Sequence, residues 1–300
     1  MRILVVGSSG FLGQYFCEQF QGDQLFQLQR LAPESNQYAL TSSVTSAIIH
    51  ESKIQEVLLK AIKLAEPHVI LNCIAITSSE KCEGNPEEAY FVNAEIPLIL
   101  ARFAKTFGAK LVQISTDAVF GQNGSKFSLH NLPSPKSVYG KSKLRGEVNV
   151  MRENNTNLIV RTNFYGCSAR RTALFDYFYG RLKHGSQVVG FTNQIFSPLY
   201  VEDLVLNLMS VISENVQGII HMGGRQIFSK YDFGLEILKQ LNLDSALIIP
   251  SEYQNSSERP YRNLDISLNS ESSKKYIKSD SGLQFGISKA IRRARDSRYD

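Results

Sequence analysis

The chain has 300 residues, of which 43% are hydrophobic and 20% charged, so it can form one large α/β domain with a smaller lobe and a sizeable core. Its 33 Lys and Arg against 28 Asp and Glu give a net charge of +5. This mild positive charge suits an anionic small ligand and is far from the basic stripe that is typical of nucleic-acid-binding proteins.

The four cysteines show no metal-ligand spacing, which indicates free thiols in a reducing compartment, and no metal site is predicted. The opening apolar run at 3–6 is too short for a signal sequence, and no later stretch approaches the length of a membrane-spanning helix. We therefore expect a cytoplasmic protein that binds neither membranes nor nucleic acid.

Short apolar runs alternate with longer helical patterns in the first half of the chain, which predicts βαβ units and a parallel sheet rather than hairpins. Apolar spacings of three and four predict the intervening helices. The predicted strands are 3–6, 24–29, 69–73, 110–114 and 157–161. The predicted helices are 54–65 and 86–107, the second beginning at Pro86 and ending before Gly108.

The regular alternation stops after residue 161. We predict a helix at 202–213 and a strand at 219–222 that return to the main sheet, and helices at 231–241 and 288–295. The polar stretch 267–281 is predicted to be a mobile loop or a solvent-facing helix.

The fold class is therefore α/β, a doubly wound parallel-sheet Rossmann domain with a smaller C-terminal α/β substrate lobe. The dinucleotide-binding domain is predicted at 1–162 with 197–222 returning to it, and the substrate lobe at 163–196 and 223–300.

A glycine-rich turn follows the first predicted strand. Its spacing is GxxGxxG, and by itself this pattern is a weak signal. Its position between a strand and a helix is the context in which backbone N–H groups bind a pyrophosphate. The predicted phosphate-binding residues are Gly7, Ser9, Gly10, Phe11, Leu12 and Gly13.

Arg30 stands at the end of the second predicted strand, where an acidic residue selects NAD and an arginine accepts the 2′-phosphate of NADP. The sequence therefore favours NADPH as the cofactor, with NADH as the alternative. An ordinary surface arginine is the competing interpretation of Arg30.

Ser115-Thr116-Asp117 ends the fourth predicted strand, and Tyr139 with Lys143 follows on a predicted helix. A lysine at i+4 lies on the same helix face as the tyrosine, and its charge should lower the tyrosine pKa. Tyr179 and Lys183 have the same spacing, but they lie in the irregular second half. We therefore predict Thr116, Tyr139 and Lys143 as the catalytic set, with Thr116 orienting a substrate carbonyl. A turn-capping role is the alternative for Thr116 and for its neighbour Asp117.

With these motifs in place, the chain resembles the extended short-chain dehydrogenase/reductases, closest to the dTDP-4-dehydrorhamnose reductase branch. The resemblance spans most of the chain. The matching blocks are Gly7 to Gly13, Asn72 to Ala75, Cys82 to Asn93, Ser115 to Phe120, Tyr139 to Lys143, Arg161, Ser197-Pro198 with Asp203, and Arg259-Pro260.

The resemblance implies that NAD(P)H reduces the C4 ketone of a nucleotide-linked 4-keto-6-deoxysugar. It also implies that Tyr139 donates the proton and that Lys143 binds the nicotinamide ribose. It adds Cys73, Ala75 and Asn93 to the cofactor site, together with Tyr139 and Lys143, although a packing role competes for Asn93. The residues that it assigns to the substrate are Thr77, Asp117, Phe164 and Arg259. The resemblance is also compatible with assembly as a homodimer.

Two departures from the family pattern concern the substrate: Ile76 replaces a usual tyrosine, and Phe196-Ser197-Pro198-Leu199 replaces a Gly-Ser-Pro-Thr block. The sugar that is accepted therefore stays open. Two other functions also remain: a nucleotide-sugar epimerase or dehydratase that retains NAD, and a regulatory subunit like the beta subunit of methionine adenosyltransferase.

Overall fold

The computed structural model describes residues 1–22, 24–30, 37–42, 46–50, 53–121, 124–256 and 260–296. Its strands are β1 Ile3–Val6, β2 Leu25–Arg30, β3 Gln37–Thr41, β4 Ser46–His50, β5 Val69–Asn72, β6 Lys110–Thr116, β7 Leu158–Thr162, β8 Phe164–Tyr165, β9 Val188–Phe191, β10 Ile195–Phe196, β11 Leu199–Tyr200, β12 Gly218–Met222, β13 Phe228–Ser229 and β14 Ile248–Ser251.

The α-helices are α1 Phe11–Gln19, α2 Ile54–Ala65, α3 Ser79–Gly84, α4 Pro86–Tyr90, α5 Ile96–Thr106, α6 Val138–Glu153, α7 Leu174–Leu182, α8 Val201–Ser213, α9 Lys230–Leu241 and α10 Gly282–Asp296. None of the helices in the described ranges is both long and apolar enough to cross a membrane.

Eight strands form the central sheet in the order β12-β7-β6-β5-β1-β2-β3-β4. The pairs from β12 to β2 are parallel, as predicted. The last two strands, β3 and β4, are antiparallel to their neighbours. The expectation of a sheet without hairpins is therefore wrong at this edge. Antiparallel strands joined by a short connection need no crossover helix, so the alternation of strand and helix patterns did not reveal them.

Strand alternation in β1 divides the core between the two faces of the sheet. Ile3 and Val5 pack in one cluster with α1, α8 and α10, while Leu4 and Val6 pack in the other with α2 and α5. Helices cover both faces, which is why the central strands read as continuous apolar runs rather than as alternating ones. The predicted doubly wound α/β fold class is confirmed.

The predicted helix 54–65 coincides with α2, and 86–107 is realised as α4, a π-helical segment at Phe91–Glu95, and α5. Gly108 follows with φ +67°. The predicted strand 219–222 is β12, which lies at the sheet edge beside β7.

Two expectations for the last third of the chain need correction. The last described helix, α10, begins at Gly282 rather than at 288. The polar stretch 267–281 includes a short 3-10 helix at Glu271–Tyr276 whose outer face is exposed, as one of the two alternatives expected, but the stretch is not a loose loop, since Ser267 and Ser273 are fully buried. Asp203 accepts hydrogen bonds from the Ser281 backbone N–H at 2.8 Å and from the Ser279 hydroxyl at 2.5 Å. Hydrogen-bonded polar side chains thus hold this stretch against α8.

Candidate active site

A cavity of about 490 Å³ opens at the carboxyl ends of β1, β5 and β6. Ligands of open α/β sheets bind at this edge. Most of the predicted site residues line it together: Ser9, Gly10, Phe11, Leu12, Cys73, Ala75, Thr77, Thr116, Asp117, Tyr139, Lys143 and Phe164.

The glycine turn links β1 to α1 at the cavity rim. Gly7 adopts φ +86°, a conformation that favours glycine, and a Cβ on Gly13 would lie 2.3 Å from the Gly7 carbonyl oxygen. These two glycines therefore shape the turn, while Ser9 and Gly10 face the cavity. No side chain caps α1, and its first turn carries no acidic residue. The backbone N–H groups at the start of α1 can thus donate hydrogen bonds to an anion.

Thr116 and Asp117 begin the turn after β6. The Thr116 hydroxyl accepts from the Ala118 backbone N–H at 3.1 Å and donates to Asp117 Oδ1 at 3.0 Å. Asn163 Nδ2 donates to the other carboxylate oxygen at 2.6 Å. Burial raises the pKa of Asp117 to about 6, although these hydrogen bonds lower it. Thr116 therefore caps the turn and lines the cavity at the same time.

Tyr139 and Lys143 lie one turn apart near the start of α6, and both line the cavity. Lys143 Nζ donates to the Ile114 carbonyl oxygen at 2.7 Å. Burial lowers the pKa of Lys143 to about 8, against an opposing effect of the Glu147 carboxylate.

The expected lowering of the Tyr139 pKa by Lys143 is not found. Burial raises the pKa of Tyr139 above its usual range, and a hydrogen bond with Thr116 offsets this only partly. The ammonium of Lys143 is instead held at the end of β6. The Tyr139 hydroxyl is therefore protonated throughout the neutral pH range.

A buried ion pair fixes α6 against the sheet beneath the site. Arg161 Nη2 donates to Glu147 Oε2 at 2.7 Å, and the Ser115 hydroxyl donates to the same carboxylate. Arg161 also contacts His221 at 3.4 Å, and burial lowers the pKa of that histidine to about 4. The pair joins β6, β7 and β12 to the helix that carries Tyr139, so it positions the site without lining the cavity.

Four predicted site residues within the described ranges do not line the cavity. Gly7 and Gly13 support the turn, as described above. Asn93 is buried, and its amide bonds the backbone of Ile76 and the Ser142 hydroxyl, each at 3.0 Å. Arg30 is exposed at the end of β2, with its guanidinium 5.9 Å from the centre of the Tyr38 ring. Arg259 lies outside the described residues.

Tyr179 of the second Tyr-Lys motif belongs to the hydrophobic core. Tyr179 is buried, and its ring stacks on Phe175 with the centroids 5.3 Å apart. It does not line the cavity. Spacing alone could not separate the two motifs, but their positions in the fold do.

Several cavity residues from the later part of the chain were not predicted, among them Gln194, Lys230 and Arg262. Arg262 Nη2 donates to Glu80 Oε1 at 2.9 Å, which connects the segment after residue 260 to α3. No local motif marks these residues, because the long-range pairing of short strands brings them to the cavity.

A family model described as "RmlD substrate binding domain" matches residues 1–286. The spore coat polysaccharide biosynthesis protein SpsK of Bacillus subtilis is 28% identical over 86% of this chain and 87% of its own length. The dTDP-4-dehydrorhamnose reductase of Mycolicibacterium smegmatis is 28% identical over 83% and 72%. Methionine adenosyltransferase 2 subunit beta of Bos taurus is 27% identical over 83% and 75%.

Solved structures give the same fold. A dTDP-4-dehydrorhamnose reductase from Clostridium acetobutylicum superposes with a TM-score of 0.81 at 27% identity, covering 98% of this chain and all of that one. The corresponding reductase of Bacillus anthracis, solved in complex with NADP, reaches 0.81 at 22% identity over 97% and 99%. At the latter identity the likeness establishes the fold alone. The resemblance expected from the motifs is confirmed.

Proposed function

Since the chain belongs to the RmlD substrate binding domain family, we propose that it is an NADPH-dependent reductase of a nucleotide-linked sugar, acting on the C4 ketone of a 4-keto-6-deoxysugar. One observation carries the proposal. A single cavity joins the uncapped start of α1 to Thr116, Tyr139 and Lys143. An anion site beside a protonated tyrosine hydroxyl is what hydride transfer to a carbonyl requires.

Each catalytic side chain has a role that its surroundings support. Tyr139 carries a proton at neutral pH and donates it to the carbonyl oxygen as that oxygen gains charge. Thr116 lies beside Tyr139 and orients the same oxygen when its hydroxyl turns from Asp117 Oδ1 to donate to the substrate. Lys143 presents a buried ammonium to the ribose hydroxyls of the cofactor. The nicotinamide cofactor, when bound, supplies the hydride.

NADPH is the proposed cofactor. The turn at Ser9 and Gly10, with the free N–H groups of α1, fits its pyrophosphate. Arg30 offers a guanidinium at the end of β2, where a 2′-phosphate is recognised. The NADP complex of the Bacillus anthracis reductase agrees with this choice. NADH is the alternative, and kcat/KM of the wild-type protein with each cofactor decides between them.

We further propose that residues 1–162 with 197–222 bind the cofactor, and that 163–196 with 223–300 bind the substrate. Thr77, Asp117 and Phe164 line the cavity and are proposed substrate contacts. Arg259 is proposed to bind the diphosphate, because a guanidinium can donate two parallel hydrogen bonds to phosphate oxygens.

The test is NADPH oxidation, followed by absorbance, with a panel of freshly generated nucleotide-linked 4-keto-6-deoxysugars. Wild-type protein should consume NADPH with at least one of them, and Tyr139→Phe should not. A wild-type protein that binds NADPH but consumes it with no member of the panel would overturn the reductase.

The bovine methionine adenosyltransferase 2 subunit beta supports a second candidate, a regulatory subunit. Binding alone would not require Thr116, Tyr139 and Lys143 in one cavity, and this favours catalysis. A protein of that kind should raise the activity of a catalytic partner without consuming NADPH. The same absorbance assay therefore separates the two functions.

A further inference from the structure

Two residues of the second lobe stand side by side at the wall of the cavity. The Lys230 backbone N–H donates to the Gln194 carbonyl oxygen at 3.0 Å, which extends the antiparallel pairing of β10 with β13. Both residues line the cavity that holds Thr116 and Asp117. Lys230 also lies close enough to Asp117 for each charge to affect the pKa of the other. The pair therefore belongs to the catalytic end of the cavity.

Gln194 is 4% exposed, and across the described part of the chain neither Nε2 nor Oε1 of its side chain has a hydrogen-bond partner. The N–H₂ and C=O groups of a buried side-chain amide are normally both hydrogen-bonded. Without such bonds nothing compensates for the free energy lost when they leave water. Its backbone is held by Lys230 on one side and by the β10 strand on the other. The side chain thus has one unused donor group and one unused acceptor on a backbone that is held in place at the cavity wall.

Lys230 shows the same lack of partners. Among the described residues, no hydrogen bond or ion pair involves its ammonium, although Asp117 and Glu80 attract it from a distance. Its neighbour Arg262 differs, because that guanidinium is paired with Glu80 at 2.9 Å. Lys230 is therefore a cation in the cavity wall without a direct counterion, a state that an anionic ligand would relieve.

We propose that Lys230 and Gln194 form one subsite for the substrate. Both amide atoms of Gln194 are covered in this structure, so a rotation of its side chain toward the cavity is required. The Lys230 ammonium and Gln194 Nε2 then donate to an anionic oxygen, while Gln194 Oε1 accepts from a neighbouring hydroxyl. The subsite rests on the proposed function, since it requires a sugar nucleotide in this cavity. A phosphate of the diphosphate and a carboxylate on the sugar share this chemistry.

Calorimetric titration of the full chain tests the subsite without requiring turnover. The probes are dTDP, dTDP-glucose, UDP, UDP-glucose and UDP-glucuronate. Lys230→Met should weaken binding about 10- to 100-fold, as expected for a lost hydrogen bond between charged groups, while Lys230→Arg should keep most of the affinity. Lys239→Met is the matched control, since Lys239 is exposed on the same helix and lies outside the cavity.

The pattern of loss identifies the anion. An equal loss of affinity for dTDP and dTDP-glucose assigns the subsite to the diphosphate, and a loss confined to UDP-glucuronate assigns it to a sugar carboxylate.

Gln194→Leu should also weaken binding, by about 5- to 10-fold. It should not lower the melting temperature, because the amide that it removes makes no hydrogen bond within the described structure.

Wild-type affinities in both Lys230→Met and Gln194→Leu would overturn the subsite alone. Binding that depends on Lys230, in a protein that never consumes NADPH, would overturn the reductase and support the subsite. Failure of the wild type to bind any probe would overturn the substrate class, and the subsite with it.

Discussion

The ammonium of Lys143 donates a hydrogen bond to the carbonyl oxygen of Ile114, 2.7 Å away, and so ties α6 to the end of β6. This contact places the lysine beside the turn that begins at Thr116. Burial is the largest influence on the pKa of Tyr139, and the charge of Lys143 is not among the influences on it. The site is thus organised by contacts between the end of a strand and the start of a helix.

Tyr139→Phe removes the proposed proton donor and leaves the ring in place. Turnover should fall by about 10²- to 10⁴-fold, which is the usual contribution of a positioned acid. NADPH affinity should change by less than about twofold, because the cofactor's phosphates bind elsewhere. Single-turnover NADPH oxidation and fluorescence titration measure the two quantities. Lost cofactor binding with the reaction preserved would contradict the assignment.

Arg30→Glu should shift the preference from NADPH toward NADH by about tenfold or more, because a carboxylate repels the 2′-phosphate and suits the ribose hydroxyl. The measurement is kcat/KM for both cofactors with one sugar. Arg2→Glu is the control, since Arg2 pairs with Glu66 away from the cavity. An unchanged ratio in Arg30→Glu would remove Arg30 from the cofactor site.

NADPH affinity should fall as the pH rises through about 8. Burial lowers the pKa of Lys143 to about 8, so the ammonium loses its proton there rather than above pH 10. The dissociation constant, followed by fluorescence from about pH 6.5 to 9.5, should show this alkaline limb. In Lys143→Met the limb should be absent and the binding weaker throughout. An alkaline limb that survives in this variant belongs to another group.

Asp117 should make the protein less stable as the pH rises. Its pKa is raised from 3.8 to about 6 on folding, so between these values the folded state holds a proton that the unfolded state has lost. The stabilisation is complete below about pH 3.8 and is lost as the pH rises through 6. Asp117→Asn lacks this dependence.

The difference in unfolding free energy, variant minus wild type, should therefore rise by about 2 kcal/mol between about pH 4.5 and 7. Urea unfolding at several pH values measures it. Parallel curves for the two proteins would show that Asp117 titrates normally.

Gly13→Ala should destabilise the protein by at least about 1 to 3 kcal/mol, because the new Cβ would lie 2.3 Å from the Gly7 carbonyl oxygen and the backbone must move. Gly180→Ala is the matched control. Gly180 lies within α7, where an added Cβ would meet no atom within 4 Å, so alanine should stabilise this helix by about 0.5 to 1 kcal/mol. Equal unfolding midpoints for the two variants would contradict the packing of the turn.

The sequence predicted those parts of the fold and site that local patterns encode. The turn from Gly7 to Gly13 and the spacing of Tyr139 and Lys143 are short-range signals, and the structure brings them to one cavity. The β3–β4 edge was missed because antiparallel pairing has no helix between its strands. Gln194 and Lys230 were missed because the pairing of β10 with β13, about 30 residues apart, brings them together.

The most direct test of the central claim is the fate of the transferred hydrogen. Wild-type protein should be incubated with NADPH carrying deuterium at C4 and with the 4-keto sugar nucleotide that it consumes. Mass spectrometry and proton NMR of the product should find one deuterium on the former carbonyl carbon, with one NADPH oxidised for each sugar reduced. A product without deuterium, formed without net NADPH oxidation, would contradict the reductase and indicate an enzyme that recycles its cofactor.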